Sequence, residues 1–149
     1  MTTPESAGNA AATATTERWR DVLGYQGWYQ VSDTGRVRSE DRVIQRRDGV
    51  VRFVQGQLLT PFPYSGKANR RYLCVRLIRD GVRETRPVHQ LVLEAFVGPR
   101  PDNTLGCHWD DDHENNDLSN LRWCTPLANA HDRARNCRLR RALAVIQTW

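Results

Sequence analysis

Residues 107–131 read CHWDDDHENNDLSNLRWCTPLANAH, a stretch dense in imidazole, carboxylate and amide groups. A short apolar run ends at His108, a loop rich in Asp and Asn follows, Asn120 precedes a second short run, and Asn129 falls near the start of a helix. Such a frame sets an imidazole on one strand, an amide that holds it from the loop, and an oxygen ligand on the facing helix. Metal-assisted hydrolysis of a phosphodiester needs these parts: a base to activate water, a group to orient that base, and a hard cation to stabilise charge on the phosphoryl oxygens and leaving group.

The elements that must position these groups are legible on either side. Leu105 to His108 and Leu121 to Cys124 are strand candidates. Thr125 as N-cap and Pro126 at the first helical position open a helix that continues through Ala134 or beyond. Upstream, Val88, Leu91, Val92, Ala95 and Phe96 recur at helical spacing, which predicts a helix closed by Gly98-Pro99. Before Pro87 the period is that of strands. Tyr29–Val31 and Arg36–Arg38 pair across Ser32 to Gly35, Arg42–Gln45 and Val50–Val54 across Asp48-Gly49, and Tyr72–Ile78 and Val82–Arg86 across Asp80-Gly81; Asp-Gly is the signature of a tight type I′ turn. The predicted fold class is therefore α+β, antiparallel hairpins followed by a helix and a ββα unit.

Pro61 to Arg71 reads as a connection, and the best boundary between two subdomains. Residues 1–16 hold almost no large apolar side chain, so they read as a disordered leader. The expected divisions are 1–16, 17–65, 66–137, and a basic helix or tail over 138–149.

At 149 residues and 39% hydrophobic, the chain has the size of one compact domain or two small ones sharing a core. No stretch approaches the ~20 apolar residues of a membrane span, and no basic-then-apolar signal opens the sequence, so a cytoplasmic location is expected. The net charge of +5 is unevenly placed: residues 17–100 carry 16 basic and 9 acidic side chains, 101–125 carry 1 and 6, and 126–149 carry 5 and 1. An acidic segment between basic flanks suits a polyanion gripped on both sides of a metal-holding centre, and equally suits a solvated surface with one acidic loop. Among the 22 basic residues only Lys67 is a lysine, which fits either a coding bias or a need for bidentate phosphate contacts.

Cys74, Cys107, Cys124 and Cys137 form no CxxC pair and read as reduced thiols rather than a zinc ribbon or a disulfide framework. Combining Cys107, His113, Cys124 and His131 into a structural zinc site fits no finger spacing. His113 reads as a solvated loop residue, His89 as structural or a DNA-backbone contact, Trp19, Trp28 and Trp123 as core, and Asn115 and Asn116 as partners of loop backbone.

The segments RPVHQLVLEAFVGPRPDN and CHWDDDHENNDLSNLRWCTPLAN resemble, in unbroken order, the HNH nucleases of phage and homing-endonuclease type, whose catalytic unit is a ββα-metal finger. The earlier segment WRDVLGYQGWYQVSDTGRVRS is similar to the nuclease-associated modular domain of the fourth type, thought to bind DNA. Together the resemblance covers about residues 17–135.

It implies a DNA endonuclease using one divalent cation, with Mg²⁺ favoured and Mn²⁺ or another transition metal as options. His108 takes the place of the general base, Asn120 that of the catalytic-motif amide that fixes the loop and helps orient the base, and Asn129 that of a metal ligand. The residue before the base is commonly a hard ligand and here is Cys107, a soft donor, with Asp110 or Asp112 as substitutes. Asp111 stands where the family usually has Gly, and His131 lies one place before the slot where His is expected, now Asp132. The partner implied is double-stranded DNA, gripped through Arg36, Arg38, Arg46, Arg47, Arg133, Arg135 and Arg138, with the oligomeric state open and the location that of the host cytoplasm for a phage-encoded chain. A non-cleaving DNA-binding protein on a degenerate scaffold is the alternative, and an RNA-directed module a third option.

Overall fold

The computed structural model describes residues 16–65 and 71–147, so the predicted leader lies, except for residue 16, outside the described residues. Among the described residues, ten strands and two α-helices follow the order of an α+β fold. Trp19–Asp21 (β1), Tyr29–Ser32 (β2) and Val37–Ser39 (β3) form an antiparallel sheet in that order. Arg42–Gln45 (β4) and Val51–Val54 (β5) make a two-stranded ribbon, and Phe62–Ser65 (β6), Arg71–Arg79 (β7) and Val82–Pro87 (β8) a second three-stranded sheet. Helix α1 spans Val88–Phe96; Leu105–His108 (β9) and Leu121–Cys124 (β10) pair antiparallel; helix α2 runs over Pro126–Ile146.

The three expected hairpins are present, and they differ in their turns. At Asp80-Gly81 both residues have positive φ, 52° and 79°, as a type I′ turn requires. At Asp48-Gly49 only Gly49 does, at 82°, and hydrogen bonds from Arg46 N–H to Val50 O and from Gly49 N–H to Arg46 O close a type I turn followed by a left-handed glycine. The expected type I′ turn is replaced there because the loop is one residue longer than the dipeptide suggests. The stretch read as a plain connection after Pro61 contributes β6, which pairs with β7 at Phe62↔Cys74.

One core joins all of this around α1. Val88, Leu91, Val92 and Leu93 are buried against Val31 and Val37 from the first sheet, Val75 and Leu77 from β7, and Leu121 from β10. Burying an aliphatic side chain of this size stabilises by about 1.5–3 kcal/mol, so β9 and β10 are held on a platform to which the N-terminal strands contribute. Trp28 and Trp123 pack at the edge of this core, as expected, whereas Trp19 lies under the guanidinium of Arg38, 4.1 Å from its ring centroid. Helix α2 runs unbroken past the expected division at 137/138. Among the described residues no helix is long and apolar enough to cross a membrane.

Candidate active site

His108 ends β9 and is 5% exposed. Its Nε2 lies 3.0 Å from Oδ1 of Asn116. A carbonyl oxygen only accepts, so Nε2 carries the proton and Nδ1 is left with its lone pair. Burial is the largest influence on the ring and lowers its pKa, with His113 acting the same way; Asn116, Asp110 and Asp112 oppose it, and the balance stays below the ordinary imidazole value. Burial thus favours the neutral form of the ring.

The amide that holds it comes from an unexpected position. Asn116, read as a partner of loop backbone, is the one on His108, and it is buried to 5% exposure. Asn120 ties the loop together instead: its Nδ2 donates to Asp110 Oδ1 and Asn115 O, and its Oδ1 accepts from Asp110 N–H. Behind Asn116 stands the β2–β3 turn. Gly35 has φ 84°, and a Cβ there would lie 2.7 Å from Asn116 Cβ, while Leu118 N–H donates to Asp33 O at 2.8 Å. Only glycine fits so close an approach with that backbone.

Asn129 sits in the first turns of α2, whose N-cap Thr125 accepts from Ala128 N–H. With His108, His113, Asp111, Tyr72 and Arg133 it lines one small polar cleft. Asp111 adopts φ 62°, the left-handed conformation that explains why glycine is usual at this position. Its carboxylate lies 3.9 Å from both Arg133 and Arg140. Asp110 is otherwise engaged: burial works against its ionised form, but hydrogen bonds from Asp112 N–H, Asn115 and Asn120 outweigh it and hold the carboxyl below its ordinary value.

Cys107 does not serve as a ligand here, and the expectation of reduced thiols fails with it. Its sulfur is bonded to that of Cys124, with the Cα atoms 6.1 Å apart. The cause is the register of β9 and β10: Cys107 faces Arg122 and Cys124 faces Leu105, which places the two cysteines diagonally on adjacent strands within disulfide reach. Cys74 and Cys137 stay unbridged.

Two histidines gather beside His108. The ring centroids of His89 and His113 lie 5.1 and 5.4 Å from that of His108, and Tyr72 touches both flanking rings, at 4.9 and 4.7 Å. The expectation of a solvated His113 is corrected, since it is half-buried; His89, 3% exposed, is the buried structural residue of the two alternatives read for it. The signal for His89 in the sequence is its place one residue into α1, whose first turn faces β9. Among the described residues no cluster of three His, Cys, Asp or Glu side chains suits a metal ion. The oxygen donors of the cleft, Asn129 and Asp111, suit a hard cation whose remaining ligands are phosphate and water oxygens.

The arginines divide by setting. Arg46 and Arg47 are exposed at the tip of the β4–β5 ribbon. Arg36 pairs with Glu17, and Arg38 donates to Gln30. Arg133 borders the cleft, Arg135 pairs with Asp132, and Arg138 lies exposed further along α2.

Comparison with known proteins is consistent with this arrangement. Residues 17–78 match the NUMOD4 motif and residues 86–131 match the HNH endonuclease family. The chain is 31% identical over 115 residues to the DNA endonuclease I-HmuI of Bacillus phage SP01, a match covering 76% of this chain and 56% of that protein. It is also 31% identical over 58 residues to an uncharacterized HNH endonuclease of Acanthamoeba polyphaga mimivirus, covering 39% of this chain and 18% of the other. The solved structure of I-HmuI, described as an HNH homing endonuclease that binds and cleaves DNA, superposes with a TM-score of 0.59 at 27% identity, covering 88% of this chain and 68% of that one. The chain thus spans little more than half the length of the curated I-HmuI.

Proposed function

We propose, for a chain that belongs to the HNH endonuclease family and carries a NUMOD4 motif ahead of it, that the protein hydrolyses phosphodiester bonds of double-stranded DNA with His108 as general base and one divalent cation. The observation that carries this reading is the bond from His108 Nε2–H to Asn116 Oδ1, which aims a neutral Nδ1 away from the loop that holds the ring. A base must be neutral, oriented and within reach of water; burial supplies the first condition and Asn116 the second.

In the cleft, His108 Nδ1 takes a proton from water as the oxygen attacks phosphorus. Asn129 and Asp111 are the residues that would hold the cation, and Arg133 lies where a phosphate oxygen would meet a guanidinium. Bound there, a hard cation supplies charge stabilisation on the phosphoryl and leaving oxygens. HNH endonucleases generally use a divalent metal, and oxygen donors favour Mg²⁺ over the softer ions. Cys107, tied into a disulfide, leaves Asp111 as the nearer candidate for the missing hard ligand.

Cleavage of plasmid DNA across Mg²⁺, Mn²⁺, Ni²⁺ and Zn²⁺, with an RNA duplex in parallel, tests the reading. Cutting of DNA that chelation stops is the expected result. Binding without cutting in every metal favours the alternative, a non-cleaving DNA-binding protein, which the bridged Cys107 motivates. Asn129→Ala should raise the Mg²⁺ concentration for half-maximal cleavage at least ~10-fold, and an unchanged requirement would remove Asn129 from the metal.

DNA affinity should fall steeply with salt. The ribbon β4–β5 has the shape that enters a major groove, and its tip carries Arg46 and Arg47. Replacing both with alanine should flatten the slope of log affinity against log salt by about 1.8, ~0.9 for each phosphate no longer neutralised. A slope equal to that of the parent places the tip off the DNA. A cytoplasmic location, the host's for a phage-encoded chain, goes with this function.

A further inference from the structure

We propose that His89 is a positioning residue for the cleavage reaction: it forms the buried wall against which the His108 ring is set, and so fixes where the base nitrogen points. The proposal rests on the assignment of His108 as base. Three observations carry it. The His89 ring is 3% exposed and stands 5.1 Å from that of His108. Tyr72, which lines the cleft, packs against both rings, 4.9 Å from His89 and nearly parallel to His108, at 20° between planes. The third is Gly106, two residues before His108 on β9, where a Cβ would lie 2.6 Å from His89 Cδ2 and 3.0 Å from Nε2.

The absent side chain at 106 is therefore what lets an imidazole from α1 come up against β9. Nδ1 of His89 is buried with no hydrogen-bond partner among the described residues. Packing alone would favour an apolar side chain there, since a buried polar atom without a partner is destabilising. A group that is costly to bury, touching the base and admitted by a glycine, fits a role in the reaction better than a role in the core. His89 does not reach the cleft and acts through His108. Asn116 restrains one edge of that ring, and His89 packs against it from the buried interior.

The test uses the full chain, single-turnover cleavage of plasmid DNA, affinity for a DNA duplex, and thermal unfolding as a check on folding. His89→Ala should slow cleavage roughly 10- to 100-fold, the scale of a misplaced reacting group, with affinity within about twofold. The acid midpoint of the rate–pH profile should move up toward the ordinary imidazole value as water reaches His108; Asp110, Asp112 and His113 act on that ring in both proteins, so the shift belongs to the wall. His89→Phe, which keeps a buried ring but no ring nitrogen, should recover only part of the rate while raising the unfolding midpoint. In a His108→Ala background His89→Ala should add no further loss. Additive loss, or wild-type rate and midpoint in folded His89→Ala, overturns the proposal. Should His89→Ala not fold, Gly106→Ala carries the test by pushing the ring off β9: slow cleavage at unchanged affinity is expected, and full rate sinks it. Full activity of His108→Ala alone would instead remove the assignment of the base, a separate outcome.

Discussion

His108→Ala is expected to cut DNA ~10² to 10⁴-fold more slowly than the parent chain, the usual contribution of a general base, while holding duplex DNA with undiminished affinity. The reason lies in how the side chain is held. Its ring is buried at the end of β9, its Nε2 proton is committed to Asn116, and its only free function is the Nδ1 lone pair. Removing it leaves the arginines of the β4–β5 ribbon and of α2 in place, so binding and chemistry separate. The pH dependence follows from the same geometry. Since burial lowers the His108 pKa, the protonated and inactive form accumulates only below the ordinary value of about 6.5. Cleavage should therefore rise with pH through a midpoint below 6.5 and be level from there through neutrality. Asn116→Ala removes the hydrogen bond that favours the charged form, and should leave the ring less well aimed. A midpoint at or above 6.5 in the parent chain would contradict a buried base, and full activity of His108→Ala would exclude it.

The elements were legible in the sequence more fully than the contacts within the site. Asp80-Gly81 announced its hairpin because only a few dipeptides tolerate two positive φ values, and the shift from period two to helical spacing after Pro87 announced α1. Thr125-Pro126 marked the start of α2 because a cap and a fixed φ serve only that place in a helix. The loop was harder. It contains Asn115, Asn116 and Asn120, each able to accept from an imidazole, and spacing does not say which amide the loop turns inward. That choice is made by the β2–β3 turn, where Gly35 presses on Asn116 from a segment some eighty residues away in the chain. His89 and Tyr72 escaped for a similar reason: each comes from a different element, and only the shared core around α1 brings them beside His108. Asp111 could have been read from the resemblance, since a non-glycine where glycine is usual signals a left-handed backbone and a side chain with somewhere to point.

The cysteine pair was hidden by register, and it supports the second large effect. Cys107 and Cys124 are 17 apart in sequence, and the segment they close holds His108, Asn116 and Asn120. In the chain-entropy account, bridging a loop of this length stabilises by ~3 kcal/mol, which for a chain of this size corresponds to an unfolding midpoint higher by roughly 6 to 12 °C. A dithiol reductant, itself oxidised to a cyclic disulfide as it delivers two thiols to the protein, should lower the midpoint by that amount. Cys107→Ala and Cys124→Ala should each lower it equally and abolish the response to reductant. The comparison between them also decides what position 107 does in the chemistry. Both substitutions break the same bond, but only one removes the sulfur beside His108. Equal cleavage by the two variants with Mg²⁺, at a temperature where both are folded, means that the sulfur serves the strand pairing and that the cation rests on oxygen donors such as Asn129 and Asp111. If Cys107→Ala alone loses cleavage while Cys124→Ala keeps it, the thiol freed by reduction ligates the metal after all, and the requirement should then shift from Mg²⁺ toward softer ions such as Mn²⁺ or Zn²⁺. A midpoint indifferent to reductant would mean that the bridge contributes nothing to stability, and that the loop is held by Asn120 and the β2–β3 turn alone.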